Sequence, residues 1–176
     1  CAMKTFLAMV LTPALTWTSH SFACTLYDKR NETTYQLNLP DDQCSTIAYI
    51  DGRIIPIRLS YPQGQAVDSS WRGPKIDVRI YYADAGYKIG PLIDNNTHLK
   101  TENNIDIYRT PNEEFFAFNG EDGARVFIRN RIHTWVASRM YGGIVINYQY
   151  LKSSLGFSEA DEFVMKFVNK TIVKRD

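Results

Sequence analysis

Between Ala124 and Arg139 stand Arg125, Arg129, Arg131, His133, Trp135 and Arg139, with no acid among them. Guanidinium forks match carboxylates in geometry and charge, and arginine and tryptophan are enriched where proteins grip one another. The thirty residues before this run are its opposite. From Asp94 to Gly123 there are seven acids (Asp94, Glu102, Asp106, Glu113, Glu114, Glu121 and Asp122) against Lys100 and Arg109. If the basic run is extended, period-two alternation places Arg125, Phe127, Arg129, Arg131, His133 and Trp135 on one face and Val126, Ile128, Ile132 and Val136 on the core face. Two readings compete. The arginines either form a recognition face for a partner or pair across the sheet with the acidic neighbour.

Conventional catalytic equipment is sparse. The chain has three histidines, of which His20 lies in the N-terminal segment 1–23, leaving His98 in a polar stretch and His133 in the basic run. There is no Gly-x-Ser-x-Gly elbow, His-Glu-x-x-His, phosphate loop or Cys-x-x-Cys. Adjacent acids occur at Asp41/Asp42, Glu113/Glu114 and Glu121/Asp122. General acid work needs one carboxyl of a pair moved to an apolar site, and adjacency in a turn does not supply that. Asp94, Asn96 and His98 begin with the alternate spacing of a calcium loop. Leu99 then stands where glycine is required and Ile105 where an acid is, so the pattern fails. No metal or cofactor is expected.

The N-terminus sets the compartment. Lys4 precedes an apolar run from Phe6 to Leu15, and Ser21-Phe22-Ala23 puts small residues at −3 and −1 of a cleavage site, the grammar of a secretory signal peptide. Cys1 and Ala2 precede Met3, the better initiator, and read as a start-site remnant. An apolar stretch this short, interrupted by Thr12 and Pro13, falls well below the ~20 residues that span a bilayer. The expectation is removal of 1–23 and a single exported β-rich domain over 24–176, in a bacterial periplasm rather than outside the cell. Without residues 1–23 the chain carries 19 basic and 19 acidic residues, which argues against a nucleic-acid partner.

Two fates compete for Cys24. In an oxidising compartment it pairs with Cys44 as a disulfide. Alternatively, a cysteine just after the cut resembles a lipoprotein anchor, although Ser21 and Phe22 depart from that pattern and Cys44 would be left as an odd thiol.

Strands must position these residues. Tyr35, Leu37 and Leu39 alternate until Pro40-Asp41-Asp42. Ile47–Ile50 and Ile54–Tyr61 flank Asp51-Gly52 as a hairpin, with Pro56 demoting the second strand to an edge. Ile76, Val78, Ile80 and Tyr82 give an alternating face, followed by a turn-rich stretch from Gly86 to Asn104. Short strands are expected at Ile105–Arg109 and Phe115–Phe118, then a turn over Asn119–Gly123. The basic run is a long strand or a bent pair, and Ile144–Tyr150 follows Gly142-Gly143. After Ser158, read as an N-cap with Asp161 three residues on, the period changes: Phe163, Val164, Phe167, Val168 and Ile172 recur at helical spacing. The fold class is mainly β (α+β), an antiparallel sheet or sandwich of seven to nine strands with one C-terminal amphipathic helix packed on it.

That profile predicts a non-enzymatic exported protein of the inhibitor or toxin-immunity type that binds another protein, such as a hydrolase or effector with an acidic cleft. Arg125, Arg129, Arg131, His133 and Trp135 are its expected contact residues. Envelope assembly through an exposed edge strand is the alternative, and a wall- or glycan-acting hydrolase is the third reading.

Overall fold

A computed structural model describes residues 24–29, 32–49, 53–84, 86–89 and 97–175. The segment 1–23, the Asp51-Gly52 turn, Asp94 and Asn96 lie outside them. In chain order come strands Cys24–Asp28 (β1) and Thr33–Leu37 (β2), then a short helix Asp41–Cys44 (α1). Strands Ile55–Ser60 (β3), Lys75–Tyr82 (β4), Thr97–Glu102 (β5), Ile105–Arg109 (β6) and Glu114–Asn119 (β7) follow. Arg125–Asn130 (β8), Thr134–Tyr141 (β9) and Ile144–Leu151 (β10) precede helix Phe157–Thr171 (α2) and a last strand, Ile172–Arg175 (β11).

The large sheet has eight strands in the order β3-β4-β10-β9-β8-β7-β6-β5, every pair antiparallel. From β5 to β10 it is a simple meander; β4 and β3 then extend it beyond β10. A smaller sheet, β1-β2-β11, completes the molecule. The expected class is what forms, mainly antiparallel β with one C-terminal helix. The strands outnumber the expected seven to nine because β1, β5 and β11 were not legible as strands. The β5 residues His98–Glu102 are all exposed, so no apolar alternation marks them.

Alternation builds the core wherever one strand face is covered. Ile76, Val78, Ile80 and Tyr82 of β4 are buried, as are Ile55, Ile57 and Leu59 of β3 and Ile144, Ile146, Tyr148 and Tyr150 of β10. They share one apolar cluster with Ala160, Val164, Phe167 and Val168 of α2 and with Tyr35 and Leu37 of the small sheet. The helix is thus held by both sheets, which supplies the stability a fifteen-residue helix lacks alone. Phe167 is buried, while Phe163 is half-buried against the Tyr61 ring at 5.2 Å.

Three local expectations are corrected. The helix cap lies two residues before Ser158: Gly156 is the N-cap, and its N–H donates to Glu159 Oε2 at 3.4 Å. The first arm of the expected Ile47–Ile50 hairpin is not a strand over Ile47–Tyr49. Cys44 is bonded to Cys24 across 5.5 Å between Cα atoms, and the turn after α1 closes with Ile47 N–H on the Cys44 carbonyl (3.1 Å), so this stretch is tied to the small sheet instead. The second arm, β3, is a sheet edge as Pro56 predicts. Finally, the Gly86–Asn104 stretch is not all turn, because β5 occupies its end.

Candidate functional site

The basic run folds as a pair of strands, and that fold separates its residues. On β8, Val126 and Ile128 are buried beneath α2, while Arg125, Phe127 and Arg129 point to the opposite, outer face. The chain turns over 131–133, with Arg131 N–H donating to the Thr134 carbonyl at 3.0 Å, and Asn130 pairs with Trp135. Directly paired residues share a sheet face. Trp135 therefore falls with the even-numbered residues of β8, not with Arg129. Its ring packs edge-on against Phe157 of α2 (4.9 Å) and Phe116 of β7 (5.5 Å), and Lys152 lies 4.5 Å from its centroid. The expected single face of six residues is corrected to three settings: outer face, turn and helix-covered face. The same turn reverses two core assignments. Ile132 is 86% exposed, and Val136 is half-exposed on the outer face.

Most of the arginines meet the acidic run. Arg125 Nη2 donates to Asp106, which also accepts from Thr101 Oγ1 at 2.6 Å. Those two bonds hold the Asp106 carboxyl below its ordinary range. Arg131 Nη1 reaches Glu113 Oε1 at 3.3 Å. Arg129 lies 5.6 Å from the centre of the Phe115 ring, and its guanidinium has no hydrogen bond or ion pair among the described residues. The acidic and basic runs thus neutralise each other largely within the sheet, the second of the two readings of this segment.

Arg139, the last arginine of the run, has the most constrained setting. It is 1% exposed and forks between two carboxylates, Nη1 to Asp161 of α2 and Nη2 to Asp122 of the β7–β8 turn. Tyr148 of β10 donates its hydroxyl to Asp161 Oδ1 at 2.8 Å. Burial pushes the Asp161 carboxyl up, outweighing Arg139 and Tyr148. For Asp122 burial also pushes upward, but the bonds from Arg139 and the Ala124 N–H prevail and hold it low. Gly120 lies against this cluster: a Cβ there would stand 2.7 Å from Asp161 Oδ2 and 2.8 Å from Arg139 Nη1. The arrangement joins a central strand, the helix and a turn. An arginine stays protonated at working pH, and its fork engages both carboxylates, so the cluster ties the strand, the helix and the turn together as a strut.

Sequence reasoning placed Asp161 at a helix cap and missed the strut. A signal was present. Asp161 stands at i with Val164, Met165 and Val168 at i+3, i+4 and i+7, an acid on the buried stripe, which demands a cation opposite.

What remains available to a partner is the β8–β9 turn and its surroundings. Arg131, Ile132 and His133 are exposed in sequence, and the His133 side chain makes no hydrogen bond or ion pair among the described residues. Leu151, paired with Thr134 at the same end of the sheet, is 52% exposed. Lys152, tied by its N–H to the His133 carbonyl at 3.2 Å, turns its ammonium to Asn130 Oδ1 and the Trp135 ring, on the sheet face opposite Arg129. The tip thus presents exposed Ile132 between Arg131, which keeps the Glu113 carboxylate beside it, and His133, with exposed Leu151 at the same end of the sheet.

Among the described residues no three His, Cys, Asp or Glu side chains gather closely enough to hold a metal ion, and no helix is long and apolar enough to cross a membrane. Comparison with protein-family models, curated proteins and solved structures finds no match to this chain.

Proposed function

We propose that this chain is an exported, non-enzymatic binding protein of the inhibitor or toxin-immunity type, which seats its β8–β9 tip in an acidic, apolar-walled cleft of a partner hydrolase or effector. The observation that carries this reading is Ile132, 86% exposed between Arg131 and His133 at the end of two paired strands. Burying such a side chain in a partner gains roughly 1.5–3 kcal/mol, and the exposed apolar neighbour Leu151 extends the contact. Because β8 and β9 are each paired on both sides, the tip is already ordered and little conformational freedom is lost on docking. Arg129, which has no ion pair among the described residues, and Arg131, which would exchange Glu113 for a partner's carboxylate, suit a hydrolase cleft and steer the encounter.

The Cys24–Cys44 disulfide supports export, since such bonds persist in oxidising compartments, and it engages the sulfur that a lipid anchor would need. Assembly by strand addition at β3 is disfavoured by its own edge. Pro56 lacks a donor, Leu59 bridges Ala66, and the Arg58 carbonyl accepts from Val67 N–H at 2.9 Å.

The test is affinity capture from envelope extract with wild-type protein and with Ile132→Asp, then calorimetry on the partner that only wild type retains, together with its activity. The expected result is an inhibited hydrolase or effector whose affinity falls about 30-fold or more, the hot-spot threshold, in Ile132→Asp. A partner held equally by both proteins moves recognition away from the tip.

A further inference from the structure

A concave surface, distinct from the tip, lies on the outer face of the large sheet, away from the helix. It is a groove of about 340 Å³ over β3, β4, β10 and β9, walled by Thr46 and Ala48 after α1 and by Val67–Ser69. Two cross-sheet rows form its floor. Pro56, Arg79 and Asn147 stand side by side in one, and Arg58, Asp77 and Gln149 in the other, with Val136 next to Gln149.

The polar groups of this floor fall into two sets. Arg58 is occupied: its Nε donates to Asp77 Oδ1 at 2.8 Å and its Nη1 to the Asp68 carbonyl at 3.3 Å. Asp68 spends a carboxylate oxygen on Ser70, at 2.7 Å from the backbone N–H and 2.6 Å from the hydroxyl. The other set has capacity left. Asn147 is oriented by donating Nδ2 to the Tyr81 hydroxyl (3.1 Å), and Gln149 by donating Nε2 to Thr134 Oγ1 (3.1 Å). Neither amide carbonyl has a partner among the described residues, and the Arg79 guanidinium has no hydrogen bond or ion pair there either.

The groove thus offers one unengaged planar fork, with the Asn147 amide beside it in its own row and the Gln149 amide in the next row. A fork takes a carboxylate through two parallel bonds, and amide oxygens accept N–H groups. A ligand that supplies a carboxylate next to amide N–H groups is the end of a peptide chain, and Val136 and Pro56 give its small side chains an apolar floor. We propose that this groove binds the carboxylate end of a short peptide, with Arg79 gripping the carboxylate and Asn147 and Gln149 accepting from the amide N–H groups. The groove shares strands β9 and β10 with the tip but none of its residues, so the inference does not depend on what the tip binds.

Nuclear magnetic resonance titration of the full chain tests it, with acetyl-Ala-Ala as the free carboxylate, the same dipeptide as its C-terminal amide, and a trimer of N-acetylglucosamine. The free carboxylate should shift the signals of Arg79, Asn147 and Gln149 saturably. Amidation of the peptide, or Arg79→Gln in the protein, should weaken binding at least tenfold with an unchanged melting temperature. Equal binding of acid and amide, insensitivity to Arg79→Gln, or no shift at these residues overturns the proposal. Shifts produced by the sugar trimer alone would reassign the groove to glycans and overturn it equally.

Discussion

Arg131 and Arg139 come from the same basic run, eight positions apart, and the fold gives them opposite work. Arg139 is buried and shared by two carboxylates from two other elements. Arg131 stands on an exposed turn, its guanidinium 3.3 Å from one carboxylate and half open to water. In low dielectric an ion pair is strong and an orphaned charge is very costly, whereas a surface pair is worth about 0–1 kcal/mol. The same residue type is therefore a structural strut in one place and spare binding capacity in the other. Burial decides which, and composition does not.

The largest effect that separates the two regions should come from Asp161→Ala. Removing one partner of a buried pair leaves the remaining charge uncompensated, so a loss of about 3–5 kcal/mol is expected in urea unfolding. Replacing the pair together, as Arg139→Met with Asp161→Leu, should recover most of that loss, since well-packed apolar groups often match a buried ion pair. A loss below 1 kcal/mol in the single variant would mean that Arg139 is served by Asp122 alone.

A smaller effect is expected at Gly120. Its alanine variant would drive a methyl group within 3 Å of both Asp161 and Arg139, whose side chains are clamped in place. Overpacking of this kind costs about 1–3 kcal/mol. In an Arg139→Met, Asp161→Leu background the penalty of Gly120→Ala should change, which a double-mutant cycle reads directly. Strict additivity would disconnect Gly120 from the cluster.

The contrast also shows what sequence could and could not reveal. Period-two alternation located β4 and β10, and the 3.6-residue stripe located α2, because each buries a continuous apolar face. Cys24 and Cys44 were legible as a bond because both lay in one chain expected to be oxidised. The candidate contact face was misread because parity counting assumes an uninterrupted strand. The turn over 131–133 shifts the pairing so that Trp135 follows Ile128 and Asn130 inward. Strand β5 was invisible for a different reason: an exposed edge strand has no apolar pattern to show and takes its order from hydrogen bonds to β6 alone. The strut was half legible: the α2 stripe marks Asp161 as a buried acid, but no local window names its partners, since Arg139 and Asp122 come from separate elements.

Acid should act on Asp106 in the sheet and on Asp122 in the strut in the same direction. Asp106 and Asp122 are both held below the ordinary carboxylate range by arginine partners and hydrogen bonds. A lowered folded-state pKa gives stability that is present above the unfolded value, near 3.9, and is lost as pH falls through the folded value. Asp161 has the opposite sign. Its raised carboxyl protonates earlier in the folded state, which favours folding as pH drops towards the unfolded value. Melting temperatures measured from pH 6 down to pH 2 should therefore fall less steeply below about pH 4 in Asp122→Asn than in wild type. An unchanged acid limb would show that Asp122 titrates alike in both states.

The smallest effect on stability belongs to the tip, and there the comparison is sharpest. Ile132 is 86% exposed, so Ile132→Ser removes almost no buried apolar surface. Arg131→Glu gives up one long contact to Glu113 and brings two acids together at an exposed site, where water screens the repulsion. Each change should leave the unfolding free energy within about 0.5–1 kcal/mol of wild type. If the tip is the recognition element, the same two variants should produce the largest losses of partner affinity while the Asp161 variants, at temperatures where they stay folded, produce little. Calorimetric titration and urea unfolding on one set of proteins would place every variant on both axes. Affinity loss that tracks stability loss across the set would mean that the strut and the tip are one cooperative unit, and Ile132 would then be an exposed residue of a hairpin whose binding work lies elsewhere.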